Sequence, residues 1–200
     1  MRQPLPARHP SGLLARAFHA YTLGLRRSVL SGDQLIYPAH GEPVRPDGRD
    51  DFDFLHGRFR VRNVRLRERL SGCTEWDEFE ASNECHPVLE RGGNVDEFAT
   101  DWHGGYRGMT LRLYDPTQRQ WSLYWANRDD GVLEPPVVGH FEHGVGTFHG
   151  RARHHGRDVR VRFRWHEIRP DSAHWEQAFS DDGGRRWETN WHMHFTRLPA

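Results

Sequence analysis

At 200 residues the chain is long enough for one domain with a sizeable core and short for two. Its 28 basic and 28 acidic residues balance, which excludes the strongly basic footprint of a general nucleic-acid or membrane-surface binder. Every basic residue is Arg, and without Lys there is no Schiff-base chemistry, no covalently held pyridoxal phosphate and no P-loop, so no cofactor is expected.

The lysine-free usage fits a GC-rich bacterial genome. Cys73 and Cys85 form no CxxC pair and no disulfide framework, so a reduced, cytoplasmic chain is expected. No apolar run approaches the ~18 residues of a membrane span.

In chain order, Leu14, Phe18, Tyr21, Leu25 and Val29 recur at helical spacing behind Ser11, a candidate N-cap. This predicts an amphipathic helix over 12–30, packed on the remaining domain or mediating a homodimer. Arg16 and His19 interrupt the apolar stretch that a secretory signal needs. Residues 37–51, with three Pro and two Gly, predict a linker. The division expected is therefore helix and linker over 1–51 and a β-domain over 52–200.

Beyond the linker the period becomes two. Val159, Val161, Phe163 and Trp165 alternate with Asp158, Arg160, Arg162 and Arg164, giving a strand with one apolar and one arginine face. Met109, Leu111 and Leu113 alternate with Thr110, Arg112 and Tyr114; Trp121, Leu123 and Trp125 repeat the pattern, as do Trp187, Thr189, Trp191, Met193 and Phe195. Turn residues such as Asp115-Pro116, His155-Gly156 and Asp181-Asp182-Gly183-Gly184 separate the runs. Connections this short join antiparallel neighbours. About ten strands result, near 57–70, 74–87, 93–101, 107–115, 119–127, 135–142, 145–153, 157–168, 172–180 and 186–196. An all-β, antiparallel up-and-down barrel follows, with a sandwich as the competing closure.

The segments Phe52–Phe59 (FDFLHGRF), Gly93–Phe98 (GNVDEF), Tyr106–Pro116 (YRGMTLRLYDP), Trp121–Ala126 (WSLYWA) and Trp175–Gly184 (WEQAFSDDGG), continuing to Trp187–Trp191 (WETNW), resemble uncharacterised bacterial calycin-type domains, shaped like lipocalins and fatty-acid-binding proteins. The resemblance runs from Phe52 to Arg197, about three quarters of the chain. Where such domains carry Trp in an opening Gly-x-Trp, this chain has Arg58-Phe59. The likeness implies a cavity for a small, largely apolar molecule, an inference at the level of fold.

If Phe163 and Trp165 face inward, alternation brings Trp125, Trp175, Gln177, Phe179, Thr189, Trp191 and Met193 to the same space. Apolar walls with a few polar groups are the make-up of small-molecule pockets, and ten strands enclose more room than side chains fill. Asn94, Asp96 and Phe98 share a face, so an inward Phe98 carries Asn94 and Asp96 with it. The expected ligand-binding residues are thus Asn94, Phe98, Trp125, Trp165, Trp175, Gln177, Thr189, Trp191 and Met193. Burial would raise the pKa of Asp96 and equip it as general acid or base; the alternative is an Asp held by Arg or by backbone amides. His192 and His194, at i and i+2, could chelate a metal, but Trp191, Met193 and Phe195 claim the inner face, so a solvated outer pair and no metal site are expected. Arg160, Arg162 and Arg164 read as a solvated outer face, with Arg65 a candidate to turn inward at a bulge and meet a ligand carboxylate.

No GxSxG, HExxH, CxxCH or post-strand GxGxxG motif is present. Three functions remain in play: binding of a small hydrophobic molecule inside the barrel, cofactor-independent lyase, isomerase or cyclase chemistry on an apolar substrate with Asp96 moving a proton, and a filled structural barrel.

Overall fold

The computed structural model describes residues 47–199. The predicted N-terminal helix lies outside the described residues. Ten strands run in sequence: β1 (Gly57–Leu66), β2 (Trp76–Val88), β3 (Gly93–Thr100), β4 (Tyr106–Asp115), β5 (Gln120–Asn127), β6 (Val137–Glu142), β7 (Val145–His154), β8 (Arg157–His166), β9 (Ser172–Ser180) and β10 (Glu188–Arg197). Each pairs antiparallel with its chain neighbours, and β1 closes onto β10 in a continuous register from Phe59↔Arg197 to Arg65↔Trp191. The up-and-down barrel is thereby closed, and the sandwich is excluded. Among the described residues the helical pieces are three short 3-10 turns, and no helix is long and apolar enough to cross a membrane.

Closure removes every free edge, so alternation decides what lies inside. On β8 Val159, Val161 and Trp165 are buried and Arg160 is exposed, as expected. On β4 the polarity is reversed. Arg112 and Tyr114 are buried, whereas Met109, Leu111 and Leu113 are only half-covered on the outside. Register explains it, because Arg112 stands opposite Asn94 on β3 and Leu123 on β5, both inner residues.

One end of the barrel is sealed by the segment entering β1. Its Phe52 sits edge-on to Trp121 and Phe141, with centroids 5.0 Å away in each case, and against Phe148 and Trp165. Leu55 is fully buried beside it. Burying one such side chain contributes roughly 1.5–3 kcal/mol. Polar clamps hold the segment in place. The Gly48 amide donates to the Tyr114 hydroxyl (3.0 Å), and the Trp121 indole donates to the Gly48 carbonyl (2.9 Å). Arg197 on β10 donates to the carbonyls of His56 and Phe54 while its guanidinium lies 4.5 Å from the Phe59 ring centroid. The other end carries the β1–β2, β3–β4, β5–β6, β7–β8 and β9–β10 connections and stays open.

Candidate ligand-binding cavity

Inside the open end lies a cavity of about 350 Å³. This falls in the lower part of the range of small-molecule sites, about 300–1,000 Å³. Eight of the ten residues expected at the site line it: Asp96, Phe98, Trp125, Trp165, Trp175, Gln177, Trp191 and Met193. Their rings interlock, with Trp175 edge-on to Trp191 (5.8 Å) and Trp125 stacked along Tyr106 (6.2 Å). Gly108 makes room for that Trp125 indole, because a Cβ there would lie 2.3 Å from its ring carbons.

Two expected residues stand elsewhere. Thr189 does not reach the cavity. The β9–β10 register slips between Thr189 and Trp191, so Asn190 is an extra, bulged residue, fully buried and accepting a hydrogen bond from the Gln177 amide at 2.9 Å. A bulge of one residue reverses the alternation on its far side. Trp191 therefore points in, and Thr189 and Trp187 point away. Asn94 faces inward and is buried but does not line the cavity; its Oδ1 accepts from Arg112 Nη1 at 3.0 Å.

That arginine is the residue which sequence reasoning left unassigned. Arg112 Nη2 donates to Asp96 Oδ2 at 2.5 Å, both side chains being almost wholly buried, and Asp96 Oδ1 accepts from the Thr110 amide at 3.3 Å. The guanidinium also rests 5.3 Å from the Phe52 ring. Asp96 is thus the arginine-held carboxylate of the alternative reading. The signal was available: Asn94, Asp96 and Phe98 on one face call for a complementary cation opposite, and of the two arginines on β4 it is Arg112 that pairs with this face, opposite Asn94.

A second arginine guards the mouth. Arg65 faces inward by unbroken alternation after Phe59, Val61 and Asn63, with no bulge in β1. Its guanidinium is sandwiched between Trp191 (4.7 Å) and Trp102 (5.1 Å), with the charge of Asp77 acting on it from further away. Burial, with Arg69 adding to it, pulls Arg65 down to about 10, so it remains cationic at neutral pH. Arg69 lies over Phe179 beside it, and the β5–β6 loop sets Asp130 and Glu134 on the cavity rim as well.

Cys85 is fully buried, and burial pushes its thiol up to about 12, which removes it from nucleophilic chemistry. On the outer face, His192 and His194 point away from the cavity as expected. They are not a solvated pair, however, because they pack with His174.

No family model matches the chain, and no curated protein does. Among solved structures it is similar to the S-type phycobiliprotein lyase CPES from Guillardia theta, with a TM-score of 0.53 and 12% identity over 78% of this chain and 95% of that one. At this identity the likeness is one of fold.

Proposed function

We propose that the barrel binds a small, largely apolar molecule that carries hydrogen-bond acceptors, one of them an acidic group meeting Arg65 at the mouth, and that the chain belongs with the bacterial calycin-type barrels. One observation carries the reading. Six buried side-chain polar atoms among the described residues have no hydrogen-bond partner, and four of them belong to residues lining the cavity: Arg65 Nε, Asn83 Oδ1, Arg112 Nε and Trp165 Nε1. An unpaired buried polar group costs about 1–3 kcal/mol, so such groups gathered around one apolar space favour an occupant that satisfies them. Three of the four are N–H donors, hence the acceptors on the ligand.

Catalysis is the weaker reading. The fold is that of a barrel which, in the Guillardia theta protein, is named a lyase, and Asp96 lies in the wall. Yet both Asp96 oxygens are engaged, by Arg112 and by the Thr110 amide, which suits a structural ion pair better than a proton carrier.

Native mass spectrometry of protein purified without denaturant tests the proposal. The expected spectrum carries one small-molecule adduct per chain, lost on denaturation and depleted in Arg65→Met. A bare mass, together with unchanged melting across a panel of apolar acids, would contradict it.

A further inference from the structure

The outside of the barrel gathers a second constellation, independent of the cavity. Alternation sends His166 on β8, His174 and Glu176 on β9, and His192 and His194 on β10 to the outer face. The register sets His174 directly opposite both His166 and His194, and Glu176 opposite His192. The rings are in contact. Centroids of His166 and His174 are 4.3 Å apart, those of His174 and His194 are 4.2 Å apart, and His174 Nε2 and His192 Nδ1 share a hydrogen bond of 3.2 Å. Glu167 turns back onto this group. Its φ of +52° breaks the alternation at the end of β8 and brings Oε1 to 3.7 Å from His166 Nδ1.

Donor atoms of His166, Glu167 and His174 all lie within 4.8 Å of one another. The cluster is not simply bathed in solvent, since the His166 and Glu176 side chains are 19% and 12% exposed. His166 Nε2 is moreover a buried nitrogen without a hydrogen-bond partner, with Glu176 Oε2 standing off at 3.7 Å. With Glu167 at its Nδ1, Glu176 at its Nε2 and the His174 ring 4.3 Å away, His166 sits among several lone-pair donors.

We propose that His166, His174 and Glu167 form a binding site for a divalent transition-metal ion of the Zn²⁺ type, with His192 bracing the His174 ring. Two imidazoles and one carboxylate are ligands that Zn²⁺ accepts readily, leaving a fourth position for water or for His194. Zinc–ligand bonds of about 2.0–2.2 Å place tetrahedral donor atoms roughly 3.3 Å apart, so side-chain movements of about 1 Å close the site. Zinc takes the neutral imidazole. Glu176 is already held by Arg164 at 3.0 Å and stands 3.7 Å from His166 Nε2 and 4.0 Å from His192 Nδ1, a second carboxylate flanking the rings.

Calorimetric titration of Zn²⁺ into the full chain, stripped of metal by chelation, tests the site. One saturable site per chain is expected, weakened at least about 10-fold in His166→Asn and in His174→Asn, with His103→Ala, an exposed histidine elsewhere, unchanged. Circular dichroism of each metal-free variant establishes that it is folded. Should His174→Asn fail to fold, Glu167→Gln, whose side chain is 70% exposed, reports on the same site and is expected to weaken it. Absence of a saturable site, or one that survives these substitutions, overturns the assignment.

Discussion

The Asp96–Arg112 pair shows how a single contact divides the barrel interior. Below it the aromatic rings around Phe52 seal one end; above it the cavity opens. A buried ion pair is not a strong source of net stability, but removing one partner strands the other charge. Arg112→Met is therefore expected to cost about 3–5 kcal/mol in urea denaturation, and Asp96→Asn in the same chain to restore more than half of that loss. A single substitution costing under about 1 kcal/mol would mean that water reaches Asp96 and that the cavity is wetter than described. Sequence made Asp96 visible and left Arg112 unseen for a physical reason. Met109, Leu111 and Leu113 form the more hydrophobic face of β4, yet half-covered apolar residues are ordinary on protein exteriors, whereas a buried Arg requires knowledge of its partner strand. Arg65 is the converse case. Its place inside follows from counting by twos after Phe59; the odd spacing of Val61 and Val64 suggested a bulge that β1 does not contain.

At the scale of elements, strand positions and turns were legible almost throughout, because alternation and Gly-Asp-Pro punctuation are local properties. The bulge at Asn190 was not. It consists of one extra residue opposite a partner strand, which period-two counting along β10 cannot register, and it misplaced Thr189 while leaving Trp191, Met193 and Phe195 correctly inside. The segment before β1 likewise read as a linker up to residue 51, and its last residues in fact lie against the sealed end of the barrel. Asp51 reports on that seal. Burial, then Asp47 and Asp50 nearby, raises its carboxyl to about 6. A raised acid pKa favours the folded state below the unfolded value near 3.8, and this contribution is lost as pH rises through about 6. Asp51→Asn should thus melt like the parent protein at pH ~3.5 and higher at pH ~7.5, by about 2–4 °C, about 1 kcal/mol once the partial exposure of the group is discounted. An equal difference at both pH values would contradict the burial assigned to it.

For the whole molecule, closure of ten strands turns one alternating pattern into two chemically separate surfaces. The inner one gathers tryptophans around unpartnered N–H groups. The outer one gathers histidines across β8, β9 and β10 that are far apart in sequence. That outer cluster was unreadable from the chain because only the register brings His166, His174 and His194 into one row. The central claim concerns the inner surface, and it is tested most directly by titrating the protein with anilinonaphthalene sulfonate, an apolar anion, while following energy transfer from the cavity tryptophans. The account predicts saturable one-to-one binding, weakened at least about 10-fold, or roughly 1.4 kcal/mol, by Arg65→Met. Binding that never saturates, or that is the same with and without Arg65, would contradict it.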